Sequence, residues 1–401
     1  MAAGLNGPSD RVFLPHVPNP LHKEMKMKLG WRIIAVLSMV AVMSTCAAFG
    51  QQYLYVNNDD DSGGDHNTVT AFKVNAAGQL TQIGTYPTGG LGTGGYNALT
   101  SIVAAQQTGN HACLFVSNGG SNNISAFTLR PSDGTLTPVA GSPFPSGGQG
   151  NNYGIGLTVA DNKILFAGNT VSNTLSVLGI TASCELRLGP TYSGLSGSPD
   201  GMKVTPNGKF LITAGLGFPN SFLIDLSNGH LTQLGPYPAH GTTAGVDISC
   251  DGTTAYFGDA GIGTEVEVYS IDGGGHLTEI NDYTDNNGQN SNNVMLSANG
   301  NLLYVSETAS NQVETLSVGA NGALTFDSIV SLKVSQFNAT LGMATVPKGQ
   351  GIFVAETSPA QVGVLAAQGT SLKEVANSPF VLNDNFAFII GITAVPGKSC
   401  P

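Results

Sequence analysis

The alternation of apolar and polar residues along the chain predicts short β-strands that recur in groups of four. The clearest group lies at residues 292–332, where NVMLS, LLYVSE, QVETLSV and ALTFDSIV are separated by turns that contain Asn or Gly. Asn-Gly and Asp-Gly pairs supply the positive φ angles of tight hairpins. No long stretch has the period of an amphipathic helix, so we expect almost no helix.

The second strand of this group recurs seven times, about 45 to 60 residues apart, which is close to the length of a four-stranded propeller blade. The copies are YLYVNN at Tyr53, LFVSNG at Leu114, LFAGNT at Leu165, FLITAG at Phe210, AYFGDA at Ala255, LYVSET at Leu303 and FVAETS at Phe353. The sequence therefore predicts an all-β, seven-bladed β-propeller with four antiparallel strands per blade, in a single domain over residues 51–401.

The two ends of this domain complement each other. The first copy has no first strand of its own, and the segment FIIGITAVPG from Phe388 is a first strand with nothing after it. We expect the C-terminal strand to complete the N-terminal blade, because this closes the ring and removes the open sheet edges.

The charge pattern excludes one class of partner. Only 10% of the residues are charged and the formal net charge is -11. Since residues 1–50 carry a net +3, the propeller region carries -14. Proteins that bind nucleic acid need cationic groups to neutralise phosphates, so we expect no nucleic-acid partner.

Residues 1–50 are interpreted as an N-terminal extension and a secretory signal peptide. The segment that begins at Met25 has a basic start, an apolar core over residues 33–43 and small residues before Gln51. This order predicts cleavage before Gln51, export to the periplasm or the medium, and no membrane span afterwards. The alternatives are a lipoprotein acylated at Cys46 and a retained membrane anchor, for which the apolar core is short.

Cleavage at this point leaves an even number of cysteines, which permits disulfides in an exported protein. They are Cys113, Cys184, Cys250 and Cys400. No Cys-x-x-Cys or Cys/His spacing indicates zinc. Because Cys113 lies in a turn of blade two and Cys400 follows the closing strand of blade one, we predict a Cys113–Cys400 disulfide across the ring closure. The alternative is four unpaired thiols.

Candidate chemistry lies where the second strands end, at one mouth of the central channel. Three consecutive blades, five to seven, end this strand with Asp259, Glu307 and Glu356. Such an arc of carboxylates suits a cation or a general base; the alternative is a set of polar strand ends that face water. His240, in the loop before blade five, is either an acid/base partner or a solvated histidine.

Further charged residues lie elsewhere in the repeat. Lys203 and Asp247 occupy the middle of two apolar first strands, which predicts a buried structural pair or a channel site. The loop DDDSGGD offers Asp59, Asp61 and Asp65 as candidate calcium ligands, although it lacks the EF-hand spacing and is otherwise a solvated acidic loop. We expect that the protein requires no cofactor, and calcium is the candidate ion.

Two other motifs are excluded. No Gly-x-Ser-x-Gly nucleophile elbow is present. The run Gly397-Lys398-Ser399 resembles the end of a phosphate-binding loop, but Gly391 is one residue too far upstream and the context is a strand.

The repeats NGKFLITAG and NGNLLYVSE and the SPF segments at Ser142 and Ser378 resemble the YVTN-type and 6-phosphogluconolactonase-like seven-bladed propellers. The resemblance covers residues 53–396. It implies the propeller fold and, for the enzymatic branch, the opening or closing of lactone rings by His, Arg and Glu residues at the channel mouth. That branch carries Pro-Arg-His before a first strand and Asn-Glu at the end of the next, whereas this chain has Pro199-Asp200 and Ala214-Gly215.

Two functional hypotheses follow. The first is an exported, non-catalytic module, monomeric, that binds a surface protein or a glycan; the missing Arg, His and Glu favour it. The second is an exported lactone hydrolase, in which a carboxylate among Asp259, Glu307 and Glu356 activates water and His240 is the proton partner. Its substrate would be a small lactone.

Overall fold

The structure, a computed structural model, describes residues 51–400 apart from short gaps. The gaps are 62–66, 96–97, 108–110, 216, 262–264, 285–289, 334–339, 348–350, 358, 383–387 and 399. Residues 1–50 lie outside the described part, so the signal segment, Cys46 and the division at residue 50 remain predictions. Among the described residues, no helix has the length and apolarity needed to cross a membrane.

The described chain consists of strands and two 3-10 turns, at Asn151–Tyr153 and Ala320–Gly322. The strands are β1 Gln52–Asn57, β2 Thr68–Val74, β3 Leu80–Pro87, β4 Ile102–Gln106, β5 Ala112–Asn118, β6 Asn123–Leu129, β7 Leu136–Pro138, β8 Phe144–Pro145, β9 Ile155–Ala160, β10 Ile164–Asn169, β11 Thr174–Ile180, β12 Leu186–Ser193, β13 Gly201–Val204, β14 Phe210–Ala214, β15 Asn220–Ile224, β16 Leu231–Gln233, β17 Thr243–Ile248, β18 Thr254–Asp259, β19 Val266–Ile271, β20 Leu277–Tyr283, β21 Ser291–Leu296, β22 Leu302–Glu307, β23 Gln312–Val318, β24 Leu324–Ser331, β25 Thr340–Thr345, β26 Ile352–Thr357, β27 Ala360–Gln368, β28 Ser371–Glu374, β29 Phe380–Val381 and β30 Ile392–Val395.

These strands form seven antiparallel sheets, which confirms the predicted seven-bladed propeller. Each sheet has four principal strands, and blades two and seven gain a short fifth strand, β8 and β29. Blade one has the order β3-β2-β1-β30, so its innermost strand comes from the far end of the chain. The β1–β30 register pairs Tyr53 with Val395 and Val56 with Ile392.

The seven innermost strands surround a central channel. In ring order they are β30, β4, β9, β13, β17, β21 and β25, and each contacts the next, with β25 returning to β30. Their backbones come so close that some positions have no room for a side chain: a Cβ on Gly201 would lie 2.2 Å from the carbonyl oxygen of Ala244, and one on Gly342 would lie 2.0 Å from that of Ile390. Glycine at these positions lets neighbouring blades meet.

The hydrophobic core is divided among the blade interfaces. Each of the seven interfaces has its own cluster of buried apolar side chains. The cluster between blades seven and one, for example, packs Phe353 and Val362 against Leu54 and Phe72. The middle strands of a blade are buried on both faces, as β5 and β26 illustrate, because each blade is covered on both sides by its neighbours.

The predicted Cys113–Cys400 disulfide is wrong. Cys113 is bonded to Cys184, which joins blades two and three, and Cys400 is bonded to Cys250, in the turn between β17 and β18 of blade five. The error has a physical reason: after β30 the chain does not stay beside blade two but crosses the end of the channel toward blade five. All four cysteines are paired, so the alternative of four free thiols is wrong as well.

Candidate functional site

The propeller has two faces, which are defined by its connections. The upper face carries the ends of the second strands and the starts of the innermost strands, and the lower face carries the hairpin turns between first and second strands. On the upper face, Leu99, Ala244 and Ile390 form a buried apolar cluster, against which Ala260 and Phe388 pack. Apolar side chains therefore lie at the channel mouth, where polar chemistry was expected.

The predicted acidic residues occupy a position that recurs in the blades. In blades one to three the equivalent residue is an asparagine whose amide donates to hydroxyls of the third strand. Asn58 donates to Thr70, 2.9 Å away, and Asn118 donates to Ser125, 2.8 Å away. The position therefore ties the second strand to the third, which is a structural task shared by the blades.

Two of the three acidic residues hold loops of the upper face. Asp259 is buried and its Oδ1 atom accepts hydrogen bonds from the N–H groups of Thr242 (2.8 Å) and Gly261 (2.7 Å). Glu307 is fully buried, and its Oε1 atom accepts a hydrogen bond of 2.7 Å from the hydroxyl of Ser291. Asp259 thus stabilises the backbone just before the first strand of its blade, and Glu307 holds the side chain at the start of the first strand of its own blade.

Glu356 differs from these two. It is fully buried, and its Oε2 atom accepts a hydrogen bond from the amide of Gln361, 2.5 Å away. The described residues offer no hydrogen-bond donor to its Oε1 atom. Burial raises the pKa of Glu356 to about 7, against the hydrogen bond from Gln361, and the nearby carboxylate of Glu374 raises it further. A carboxyl group with a pKa near 7 and a free oxygen suits a general base.

The surroundings of Glu356 explain why the proton resides there. Glu374 forms an ion pair of 3.1 Å with Lys333, and its side chain is buried. The backbone oxygen of Lys333 in turn accepts a hydrogen bond from Gln361. Glu374 thus has a cation that compensates its charge, whereas Glu356 has only an amide. The absence of a compensating cation beside Glu356 favours its protonated form.

His240 lies away from this cluster. Its Nε2 atom is 3.0 Å from Glu279 and its Nδ1 atom 4.0 Å from Asp282, both on the outermost strand of blade five, and the ring is half-exposed. Its backbone N–H donates to Glu267, 2.8 Å away. The imidazole therefore faces the outer edge of the blade.

Glu267 is a buried residue that sequence reasoning did not single out. It accepts hydrogen bonds from the N–H groups of His240 and Gly241 and from the hydroxyl of Tyr269, 2.7 Å away. Burial raises its pKa in spite of these bonds. The signal that could have found it is a charged residue inside the apolar strand VEVYSI.

The candidate calcium loop is only partly described, because Asp65 lies outside the described residues. Asp59 accepts hydrogen bonds from the N–H (3.0 Å) and the hydroxyl of Thr93. Asp61 is exposed. Within the described ranges, no three His, Cys, Asp or Glu side chains come together as a metal site.

A cavity of about 280 Å³ lies inside the ring of innermost strands. Lys203 and Asp247, predicted as a pair, form an ion pair of 3.0 Å there. Asp247 is buried as expected, but the Lys203 side chain is 43% exposed, which the prediction of burial missed. A second cation, Lys398, lies 2.5 Å from Asp247 and was not predicted to belong to this pair.

Two charged groups in this cavity, Asp247 and Lys398, have shifted pKa values. Burial alone would raise the pKa of Asp247, but Lys203 and Lys398, with the N–H of Leu296, outweigh it and hold the pKa well below its usual range. Burial lowers the pKa of Lys398, an effect that Asp247 opposes and Lys203 reinforces. Asp247 is therefore ionised and fully engaged, so it is not a base.

Comparison with known proteins supports the resemblance drawn from the repeats. Residues 104–246 match the family described as "Lactonase, 7-bladed beta-propeller". No curated protein matches the sequence.

Several solved structures share the fold over most of the chain. A putative 6-phosphogluconolactonase from Bacteroides fragilis is 18% identical and superposes with a TM-score of 0.70, over 87% of this chain and 99% of that one. The periplasmic gluconolactonase of Pseudomonas aeruginosa is 18% identical with a TM-score of 0.68, over 88% of this chain and 100% of that one. At such identities these similarities establish the fold alone, which is a seven-bladed propeller.

Proposed function

We propose that this lactonase-type propeller hydrolyses small lactones and that Glu356 is its general base. The observation that carries the proposal is the pKa of Glu356, raised to about 7 on a carboxyl group with one unpartnered oxygen. Glu356 combines a proton affinity near neutrality with a carboxylate oxygen to which no described residue donates a hydrogen bond. Structural neighbours named as gluconolactonases favour sugar lactones as the substrate class.

The chemistry requires one group that first takes and then returns a proton. The Oε1 atom of Glu356 is buried, so the reaction requires a water molecule to reach it. Ionised Glu356 then accepts a proton from this water as the water oxygen attacks the lactone carbonyl carbon. The tetrahedral intermediate then breaks its ring C–O bond, and the departing alkoxide oxygen takes the proton back from Glu356. The product is an open-chain hydroxy acid, and the carboxylate is regenerated.

The test is a pH-stat assay of residues 51–401 on a panel of γ- and δ-lactones, sugar lactones and their phosphates. We expect Glu356→Gln to reduce the rate by about 100-fold or more, the usual effect of removing a general base. Glu185→Gln, in a turn of the lower face, is the control and should keep the wild-type rate. A rate that survives Glu356→Gln but is lost in Glu307→Gln would move the base to blade six and overturn the assignment.

A second candidate function is non-catalytic binding. It is favoured by the position of His240, whose ring pairs with Glu279 and not with an acidic strand end. It is also favoured by exposed apolar side chains at loops of the upper face, Tyr153, Val171 and Phe218, which suit a protein or glycan partner. A folded protein without activity on the whole panel would support this function over hydrolysis.

We further propose that the protein is exported. The two disulfides support this, because such bonds persist in oxidising compartments. The basic and apolar pattern before Gln51 supports it independently. N-terminal sequencing of the protein recovered from the periplasm or the medium should begin at Gln51; recovery of the uncleaved chain from the cytoplasm would refute export.

A further inference from the structure

Among the described residues, the central cavity contains more positive than negative charge. Lys203 and Lys398 face one carboxylate, Asp247, which is ionised. The described charges of the cavity therefore sum to one positive charge. Buried charges are normally compensated, so an uncompensated cation in a cavity favours the binding of an anion.

The two lysines are not equivalent. Lys398 is largely buried, donates to Asp247 at 2.5 Å and to the backbone oxygen of Leu296 at 3.3 Å, and is therefore engaged within the protein. Lys203 contacts Asp247 at 3.0 Å, and the described residues give its ammonium group no other partner. Since an ammonium group has three N–H donors, two of those on Lys203 remain for a ligand.

Asp247 holds Lys203 in place without competing for the ligand. Its Oδ1 atom also accepts the N–H of Ile248 (3.0 Å), and its Oδ2 atom accepts the N–H of Leu296 (2.9 Å) and the ammonium of Lys398. Both oxygens are therefore saturated. The carboxylate orients the cation, as a supporting residue does in a pre-organised site.

Other polar groups line the same cavity. The lining includes Thr158, Asn293 and Thr393. Within the described part of the chain, their side-chain oxygen and nitrogen atoms have no hydrogen-bond partner, so they are free to bind hydroxyl groups. The apolar part of the lining includes Met202, which can contact the carbon atoms of a ligand. The volume, about 280 Å³, suits a small molecule.

We propose that this cavity is a binding site for a small hydroxylated oxyanion, in which Lys203 holds the carboxylate or phosphate group and Thr158, Asn293 and Thr393 hold hydroxyls. The site does not depend on Glu356, which lies at the upper end of β26. Lys398 and Asp247 are positioning residues, because they act through Lys203.

The test is calorimetric titration of the full domain with D-gluconate and, separately, with inorganic phosphate, using the neutral polyol D-glucitol as the uncharged control. We expect binding of an anion and none of glucitol. Lys203→Met should weaken binding by about tenfold or more, the effect of losing a charge-assisted contact. Lys203→Arg should retain binding.

The matched control is Lys163→Met, which removes an exposed lysine that also pairs with an aspartate, Asp161. It should bind like the wild type. Binding of gluconate alone would identify a carboxylate site, and binding of phosphate alone a phosphate site. Failure of both anions to bind the folded protein, or equal binding by Lys203→Met, would overturn the proposal.

Discussion

At the scale of single residues, the position at the end of the second strand carries different side chains in different blades. In blades one to three an asparagine there joins two strands by hydrogen bonds, and the same position in blade seven holds Glu356. Replacing an amide by a carboxyl group in a buried place introduces a titratable proton. The position that is structural in blades one to three thus carries a titratable group in blade seven, the property on which the proposed general-base role of Glu356 rests.

The raised pKa of Glu356 predicts that the free energy of unfolding depends on pH. In the unfolded chain an ordinary glutamate has a pKa of about 4.3, whereas the folded value is about 7. Between these values the folded protein binds the extra proton, so stability falls as the pH rises through this window, by up to about 4 kcal/mol. Above the folded-state pKa of about 7, the stabilisation from this proton is lost completely.

Urea unfolding of the wild type and of Glu356→Gln, at about pH 5 and about pH 8, measures how much of the pH dependence of stability comes from Glu356. The variant cannot ionise at this position, so it should gain stability relative to the wild type at the higher pH. An equal difference between the two proteins at both pH values would contradict the assigned proton affinity.

The sequence predicted two of the charged side chains in the central cavity but not the third. Lys203 and Asp247 were predicted as a pair because both interrupt apolar strands of adjacent blades, and they are 3.0 Å apart. Lys398 escaped prediction because its position depends on where the chain runs after β30, which no local pattern encodes. The available signal was the scarcity of basic residues, since only ten Lys or Arg residues lie in residues 51–401. Each of them was therefore a candidate partner for a buried carboxylate.

At the scale of the strands, the structure depends on close packing of backbones around the channel. The first strand of blade four places Gly201 against the carbonyl oxygen of Ala244 in blade five. The hydrophobic pattern predicted this strand, but it did not predict the need for glycine there. That need arises from convergence of seven strands, which is a property of the closed ring.

We therefore predict that Gly201→Ala destabilises the protein by about 1 to 3 kcal/mol, the usual cost of overpacking. The added Cβ would lie 2.2 Å from a backbone oxygen, which cannot move without displacing the next blade. Thermal unfolding of the variant measures the effect. Gly273→Ala is the control, because a Cβ there meets nothing within 4 Å; similar losses in both variants would refute the argument.

At the scale of the whole molecule, the tail after β30 joins opposite sides of the ring. β30 belongs to blade one, Lys398 reaches Asp247 of blade five, and Cys400 is bonded to Cys250 of the same blade. The repeat count and the closing strand could be predicted from the sequence, because each repeat carries its own pattern. The course of the tail could not, and for that reason the disulfide partners were assigned wrongly.

We predict that the two disulfides contribute unequally to stability. The Cys250–Cys400 bond spans 150 residues and the Cys113–Cys184 bond spans 71. In the chain-entropy account the longer loop is stabilised more, by about 5 kcal/mol against about 4. Removing the longer one also releases the tail that carries Lys398.

Unfolding of the Cys250→Ser/Cys400→Ser variant, compared with Cys113→Ser/Cys184→Ser, measures this difference. The first should be the less stable of the two. Greater loss in the second variant would mean that the tail is held mainly by its other contacts.

Blade one contains strands from residues 52–87 and a fourth strand from residues 392–395. A ribosome therefore completes β1 long before it makes the partner of β1. At about 5 to 20 residues per second, the interval is roughly 20 to 70 seconds. During that time the edge of β1 has no permanent neighbour, and the first blade to be synthesised is among the last to be finished. Blade one therefore begins to be synthesised first but cannot be completed until the C-terminal strand has been made.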